Sequence, residues 1–310
     1  MSIVIDSHIP YLVEAVQKAW PQVQICPMKP DEIDAFAVRD ADVLVVRTRT
    51  QVNEALLAGS KVRLVCTATI GYDHIDTAYC EAHGIRWVSC PGCNAQAVCD
   101  YIEEALDEYF QLSTFNFQLS IGVVGVGHVG SLVAKMAERK GFQVVLNDPP
   151  KGIGESLDFI AQNCDIITFH VPLDETTHYL CDEAFLSKCK PGTLIINASR
   201  GGVVDEQALL RSGHPFIIDT WENEPKIDPQ VLAKALRASY HIAGYSVEGK
   251  RNATQKCLDE IATFWHLTPI QLPSFPAQGD TAPGWLERIT DTLKNHPEQF
   301  EQLRKHYPLR

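Results

Sequence analysis

The chain has 310 residues, of which 45% are hydrophobic and 21% charged, with a formal net charge of −12. That length exceeds one ordinary core and fits two compact lobes with an appendage, and the composition is that of a folded globular protein rather than a disordered or fibrous one. The acidic balance argues against a nucleic-acid surface built on excess Lys and Arg and favours a small-molecule partner.

No apolar run reaches the length of a membrane span, and the opening MSIVIDSHIP lacks the basic start and long apolar stretch of a signal peptide, so a cytoplasmic protein with no membrane partner is expected. Ten cysteines are scattered from Cys26 to Cys257 through a chain large enough to hold its own core, which predicts reduced thiols. CPGC, from Cys90 to Cys93, has redox or zinc spacing, but no second CxxC follows. It reads as a turn that carries two thiols, and no metal is expected.

Along the chain, SIVID, YLVEAVQKAW, DVLVVR, NEALLAG and VRLVCTA alternate apolar runs with helix-like stretches, the βαβαβ rhythm of a parallel sheet. GIRWVSC adds a strand and PGCN a turn, which marks a lobe boundary. From Ala97 the stretch AVCDYIEEALDEYFQL spaces its apolar residues as a long amphipathic helix. A second βα series follows through LSIGVVG, FQVVLND, CDIITFHV, TLIINAS and PFIIDTW to about Tyr245. Gly249 to His266 reads as helix, LPSFPAQGDTAPG as a linker, and Trp285 to about Lys305 as one charged helix. The expected fold class is α/β: two lobes of parallel sheet with flanking helices, one of them a doubly wound Rossmann-like domain, plus a short C-terminal appendage. Residues 1–94 with 247–270 would form the substrate-binding lobe, 95–246 the nucleotide lobe, and 271–310 a linker and short helix, a reduced dimerisation region.

GVGHVG runs from Gly125 through Gly127, His128 and Val129 to Gly130, follows the strand SIGVV and opens a helix, the context a dinucleotide fingerprint requires. Gly125 permits the tight turn, Gly127 lets backbone approach a pyrophosphate, and Gly130 allows helix to pack on strand, while free N–H groups at the helix start face the phosphates. Three glycines alone would be only tight-turn chemistry. Asp148, 18 residues beyond Gly130 at the end of the next strand, supplies the acid that accepts ribose hydroxyls and repels a ribose phosphate, which points to NAD.

INASRGGVVDEQAL, IIDTWENEP and YHIAGYSVEGK carry Arg200, Asp219, Glu224 and His241, each just after a predicted strand. Strand C-terminal ends line the ligand crevice of an open parallel sheet, so these side chains can converge. Arginine offers a planar charged fork for a carboxylate, histidine can exchange a hydroxyl proton near neutral pH, and a glutamate beside the histidine holds its ring and favours the imidazolium. Singly, each has a plainer explanation: a turn cap, a solvated loop, a hydrogen-bonded core histidine.

The order Arg, Glu, His after a nucleotide fingerprint resembles the D-2-hydroxyacid dehydrogenases to about residue 265. The likeness is carried by VVRTRTQVNEALLAG, TATIGYDHID, PGCNAQAV, NDPP, TFHVPL and HIAGYSVEGK, the last the most specific. It implies an NAD-dependent oxidoreductase acting on a small phosphorylated sugar acid, with Arg200, Glu224 and His241 catalytic. It also implies that Asp148, Val171, Ala198, Ser199, Arg200, Asp219 and Gly244 contact NAD, and that Thr48, Thr69 and Tyr245 contact substrate. Thr48 stands where the family has serine, keeping the hydroxyl and adding a methyl. Arg47 and Arg49 alternate at a strand end, facing either a substrate phosphate or solvent. The resemblance further implies a homodimer, yet fewer residues follow position 265 than the family's dimerisation region has, which puts that route in doubt. Two other readings stand beside this one: a dehydrogenase for another D-2-hydroxyacid such as phosphoglycerate or glycerate, and an NAD-gated interaction protein on the same fold.

Overall fold

The structure, a computed structural model, describes residues 1–111, 118–280 and 282–310. It divides into two compact units, residues 1–94 with 246–277, and residues 95–245 with 278–310.

In the first unit the apolar runs become strands β1 (Ser2–Asp6), β2 (Gln24–Met28), β3 (Val43–Val46), β4 (Leu64–Thr67) and β5 (Arg86–Val88), all parallel in the order β2-β1-β3-β4-β5. Every residue of β3 and β4 is buried, as a sheet covered on both faces requires. Pro27 sits in β2, an edge strand, where a missing N–H is tolerated. The helix Val247–Trp265 belongs to this unit and buries Ala253, Cys257, Leu258 and Ile261 in one cluster with Ile3, Val43 and Leu64. It starts two residues earlier than its sequence pattern, because the Ser246 hydroxyl accepts the Gly249 N–H at 2.9 Å and caps it.

The second unit holds β6 (Ser120–Val124), β7 (Gln143–Asp148), β8 (Ile153–Gly154), β9 (Ile166–Phe169), β10 (Leu194–Asn197), β11 (Phe216–Ile218) and β12 (Arg237–Ala238). Their order is β12-β11-β10-β9-β6-β7-β8, parallel except for β8. The chain winds outward in both directions from the β6–β9 pair, which makes their carboxyl ends the switch point where open α/β sheets bind ligands. The helix expected from Ala97 spans Ala95–Gln111, and Leu112, the end of its sequence pattern, lies outside the described residues. It buries Tyr101, Ile102, Ala105 and Leu106 in the same core as Val133 and Met136 of the helix His128–Arg139.

The tail departs from its sequence pattern. In place of one helix there are two, Trp285–Asn295 and Phe300–Lys305. Pro297 accounts for the break: it has no N–H to donate and turns His296 out of the helical region, to φ −137° and ψ 55°. Nor does the tail stand apart as an appendage, since Leu286, Leu293 and Phe300 are buried in the core of the second unit. The Glu108 carboxylate accepts the N–H groups of Leu286 and Glu287 at 3.1 and 3.2 Å, an anion at a helix N-terminus, and is itself paired with Arg237. Among the described residues no helix is long and apolar enough to cross a membrane.

Candidate active site

The glycine turn after β6 has the shape its sequence predicts. Gly125 has φ 89°, and a Cβ there would lie 2.6 Å from the His170 carbonyl oxygen and 2.8 Å from Val171 Cγ1. A Cβ on Gly130 would lie 1.9 Å from the Gly125 oxygen, so the helix His128–Arg139 can sit against the turn only with glycine. At Gly127 a Cβ would meet nothing within 4 Å, and no side chain caps this helix start. Bare backbone facing open space at a helix N-terminus is a fitting seat for a dinucleotide pyrophosphate. His128 is exposed beside it and Val129 half-buried.

Asp148 ends β7 and accepts the Val126 N–H at 2.9 Å, which ties the acid to the fingerprint turn. Burial alone would raise its pKa, but the Val126 N–H and Lys151, 3.1 Å away, hold it below the ordinary value. The carboxylate is therefore charged where a ribose would meet it. Lys151 also donates to the Val126 carbonyl at 2.7 Å; nothing in its sequence context marked it, because it reaches the site through a 3₁₀ turn after two prolines.

After β10, Asn197 shapes the segment from Ala198 to Arg200. Its Oδ1 accepts the Ser199 N–H and hydroxyl at 3.1 and 2.8 Å, and its Nδ2 donates to the Arg200 carbonyl at 2.8 Å. Arg200 Nη1 donates to the Ser199 carbonyl at 2.8 Å, which anchors one edge of the guanidinium and leaves its other donors without partners among the described residues.

Glu224 folds back on its own loop, with Oε1 accepting the Trp221 N–H and Oε2 bonded to His241 Nδ1, both at 2.8 Å. A carboxylate on Nδ1 fixes the proton there, so the neutral ring presents a basic Nε2. Burial works to raise Glu224, yet the His241 hydrogen bond and charge, the Trp221 N–H and Arg304 together bring its pKa below the ordinary value. Arg200, Glu224 and His241 line one depression of about 390 Å³ with Leu173, Tyr179 and Trp221. The structure thus brings together three residues that sequence places on three separate loops.

Asp219, for which the resemblance implies an NAD contact, also braces the loop that follows β12. It is 1% exposed, and its oxygens accept the N–H groups of Ile242 at 2.7 Å and Ala243 at 3.0 Å, and the Ser239 hydroxyl at 2.7 Å. These bonds hold the turn on which His241 sits at φ 60°, a left-handed conformation costly for a non-glycine residue. Gly244 and Tyr245 continue that turn, and the Tyr245 hydroxyl accepts from Arg304 at 3.2 Å.

In the first unit, β3 and β4 are neighbours with Val46 opposite Thr67, and the Ala68 N–H bonds to the Val46 carbonyl at 3.0 Å. The loops carrying Thr48 and Thr69 therefore leave the sheet side by side. Thr69 Oγ1 lies 2.6 Å from the Thr67 hydroxyl, which in turn lies 3.0 Å from His74 Nε2. The strand alternation of Arg47 and Arg49 does not exist: β3 stops at Val46, and Thr50 N bonds to the Arg47 carbonyl at 3.3 Å to close a turn. Arg47 Nη1 donates to the His8 carbonyl at 3.3 Å.

Residues 107–243 match the model of the NAD binding domain of D-isomer specific 2-hydroxyacid dehydrogenases. Among solved structures, the NAD⁺-bound 3-phosphoglycerate dehydrogenase of Entamoeba histolytica is 22% identical with a TM-score of 0.72, over 89% of this chain and 99% of that one. The Aquifex aeolicus D-lactate dehydrogenase complexed with NAD and lactic acid is 24% identical with a TM-score of 0.68, over 85% and 95%. The family model and the curated relatives that match over the full length define an NAD-dependent dehydrogenase acting on a CH–OH group. Erythronate-4-phosphate dehydrogenases of Bacteroides fragilis and Pseudomonas fluorescens are 44% and 35% identical; each alignment covers 100% of this chain, and 97% and 92% of the relative. The chain belongs to the erythronate-4-phosphate dehydrogenase family. The likeness consequently runs on through the tail, beyond residue 265 where the recognisable motifs end.

Proposed function

We propose that this protein oxidises the 2-hydroxyl of 4-phosphoerythronate to give 2-oxo-3-hydroxy-4-phosphobutanoate, with NAD as acceptor. The observation that carries this reading is the 2.8 Å bond between His241 and Glu224 on the same depression as a partly anchored Arg200. Neutral His241 takes the hydroxyl proton at Nε2, and Glu224 stabilises the imidazolium that results. Arg200 pairs with the substrate carboxylate and draws electron density from the forming keto group. NAD, when bound, would supply the hydride acceptor for C2. The glycine turn and Asp148 would hold it, with Val171, Ala198, Ser199 and Gly244 around it.

The far end of the substrate is a dianionic phosphate, which needs several donors from separate loops. Arg47, Thr48, Thr69 and Tyr245 fill that role in this reading, supported by the adjacency of the first two loops. Residues 1–94 with 247–270 act as the substrate-binding lobe and 95–246 as the NAD lobe, and the working form is a cytoplasmic homodimer, by the likeness to the family. In this reading the reaction belongs to pyridoxal phosphate biosynthesis.

The test is NADH formation from 4-phosphoerythronate, erythronate, 3-phosphoglycerate, glycerate and D-lactate, with His241→Asn in parallel. Because the phosphate is remote from the reacting carbon, its removal should depress turnover as well as affinity. Equal oxidation of erythronate, or turnover of glycerate or lactate alone, removes the substrate assignment and leaves the dehydrogenase. His241→Asn should bind NADH and fail to turn over; loss of both would make His241 structural.

A further inference from the structure

The helix Phe300–Lys305 sends one side chain to the catalytic pair. Arg304 Nη1 lies 3.9 Å from Glu224 Oε2, the same oxygen that holds His241 Nδ1 at 2.8 Å. Its Nε donates to the Tyr245 hydroxyl at 3.2 Å, and the guanidinium stands 6.0 Å from the centre of that ring. The side chain is 27% exposed, so its charge is only partly screened. The placement is built rather than incidental. Phe300 is buried, with its ring centre 6.5 Å from that of Tyr240, and Tyr307 packs on Tyr240 and Tyr245 at 6.0 and 6.4 Å.

A separation of 3.9 Å is an ion pair without the directionality of a strong hydrogen bond, so Arg304 does not displace His241 from the carboxylate. It adds a charge that an arginine cannot release. Two cations thus share one Glu224 oxygen, one permanent and one that comes and goes with each turnover. Other ionisable groups around them include Glu301, 3.7 Å from Arg304; Arg200, His178, Tyr179 and Glu222, which line the depression; the buried Glu206; Asp219, bonded to the loop of His241; and Tyr307, packed on Tyr245.

We propose that Arg304 is a positioning residue for the His241–Glu224 pair: it keeps Glu224 ionised and aimed, and offsets the carboxylate's hold on the imidazolium so that His241 returns its proton to solvent after each oxidation. This rests on the catalytic role given above to His241. The sign is fixed by electrostatics, since removing a cation beside Glu224 leaves its full field on the ring and favours the protonated form. Neutral His241 is the base in oxidation, so the acid limb of the rate profile must move to higher pH.

The test compares full-length Arg304→Met, Arg304→Lys and Lys305→Gln, the last an equal charge change on the neighbouring exposed residue. Two curves are read: kcat/KM for the hydroxyacid against pH, and the titration of the His241 ring carbons by NMR without NAD, assigned by their absence in His241→Asn. Arg304→Met should move both upward by about half a pH unit or more, roughly threefold in kcat/KM on the acid limb, while Arg304→Lys and Lys305→Gln follow the wild type. Unmoved curves, a change confined to KM, or Arg304→Lys behaving like Arg304→Met would overturn the proposal. If Arg304→Met does not fold, Arg304→Gln, which keeps a donor for Tyr245, is judged by the same criteria. Turnover surviving in His241→Asn would instead sink the catalytic reading, and the NMR titration would still decide what Arg304 does to the ring.

Discussion

Replacing Asp219 by asparagine separates its two available roles, clamp and cofactor ligand. In the structure Oδ1 accepts from Ile242 N and Ser239 Oγ, both at 2.7 Å, and Oδ2 from Ala243 N at 3.0 Å, all at a site 1% exposed. Asparagine keeps the shape but turns one oxygen into a donor. Its better orientation keeps the carbonyl on the pair of donors and sets the amide NH₂ against the Ala243 N–H. One charge-assisted bond is then lost and one buried N–H left unpaired, a cost of about 2–4 kcal/mol. For a unit of this size that is a fall in melting temperature of roughly 5–15 °C. The loosened turn carries His241, so turnover should fall with stability while the KM for NAD changes little. Thermal melting and steady-state kinetics on one preparation decide it. A variant that melts like the wild type but has lost affinity for NAD would refute the clamp and restore Asp219 as a cofactor contact.

Arg200→Lys should lose on the order of a hundredfold in kcat/KM, because an ammonium cannot reproduce a bidentate fork on a carboxylate; near-wild-type kinetics would take Arg200 out of the site. Asp148→Ala should weaken NAD and narrow its advantage over NADP, the more so because Lys151 stays behind without its carboxylate partner; an unchanged ratio of the two KM values would contradict this. Burial, then Glu222 and other nearby carboxylates, push Glu206 up to about 7. A carboxyl raised in the folded state destabilises it as pH climbs from the ordinary value near 4.5 to about 7, so Glu206→Gln should flatten that slope, by on the order of a few kcal/mol in urea unfolding at pH 8. A slope identical to the wild type would show that Glu206 ionises freely. Phe300→Ala should cost about 3–5 kcal/mol, as a large side chain 1% exposed leaves a cavity; unchanged melting would mean that the tail is not docked.

Much of the fold was legible because it is local. VLVV is apolar at every position and LVCT at all but its last, and only a strand covered on both faces accounts for so short a run among turn residues. The glycine turn was legible for the same reason, since strand, turn and helix are contiguous and each glycine has its own steric cause. The strands that escaped are β2, with a proline in it, and β8 and β12, each two residues long. Two residues cannot show a period of two, and these pairings exist because a neighbouring strand offers an edge.

The site was legible in its residue types but not in their roles. Arg200, Glu224 and His241 follow strands of one sheet, so topology alone sets them along one edge. Asp219 sits at an equivalent strand end, and nothing in IIDTWENEP shows that its carboxylate also braces the next loop. That bracing lives in three hydrogen bonds to residues some twenty positions away. Arg304 is the extreme case. Its own segment, FEQLRK, reads as a solvated helix with ordinary i,i+3 and i,i+4 charge spacing. It meets Glu224 because Pro297 breaks the tail helix and Phe300 anchors the second piece in the core. A proline that the sequence pattern runs straight through is therefore part of the geometry that brings the arginine to the catalytic carboxylate.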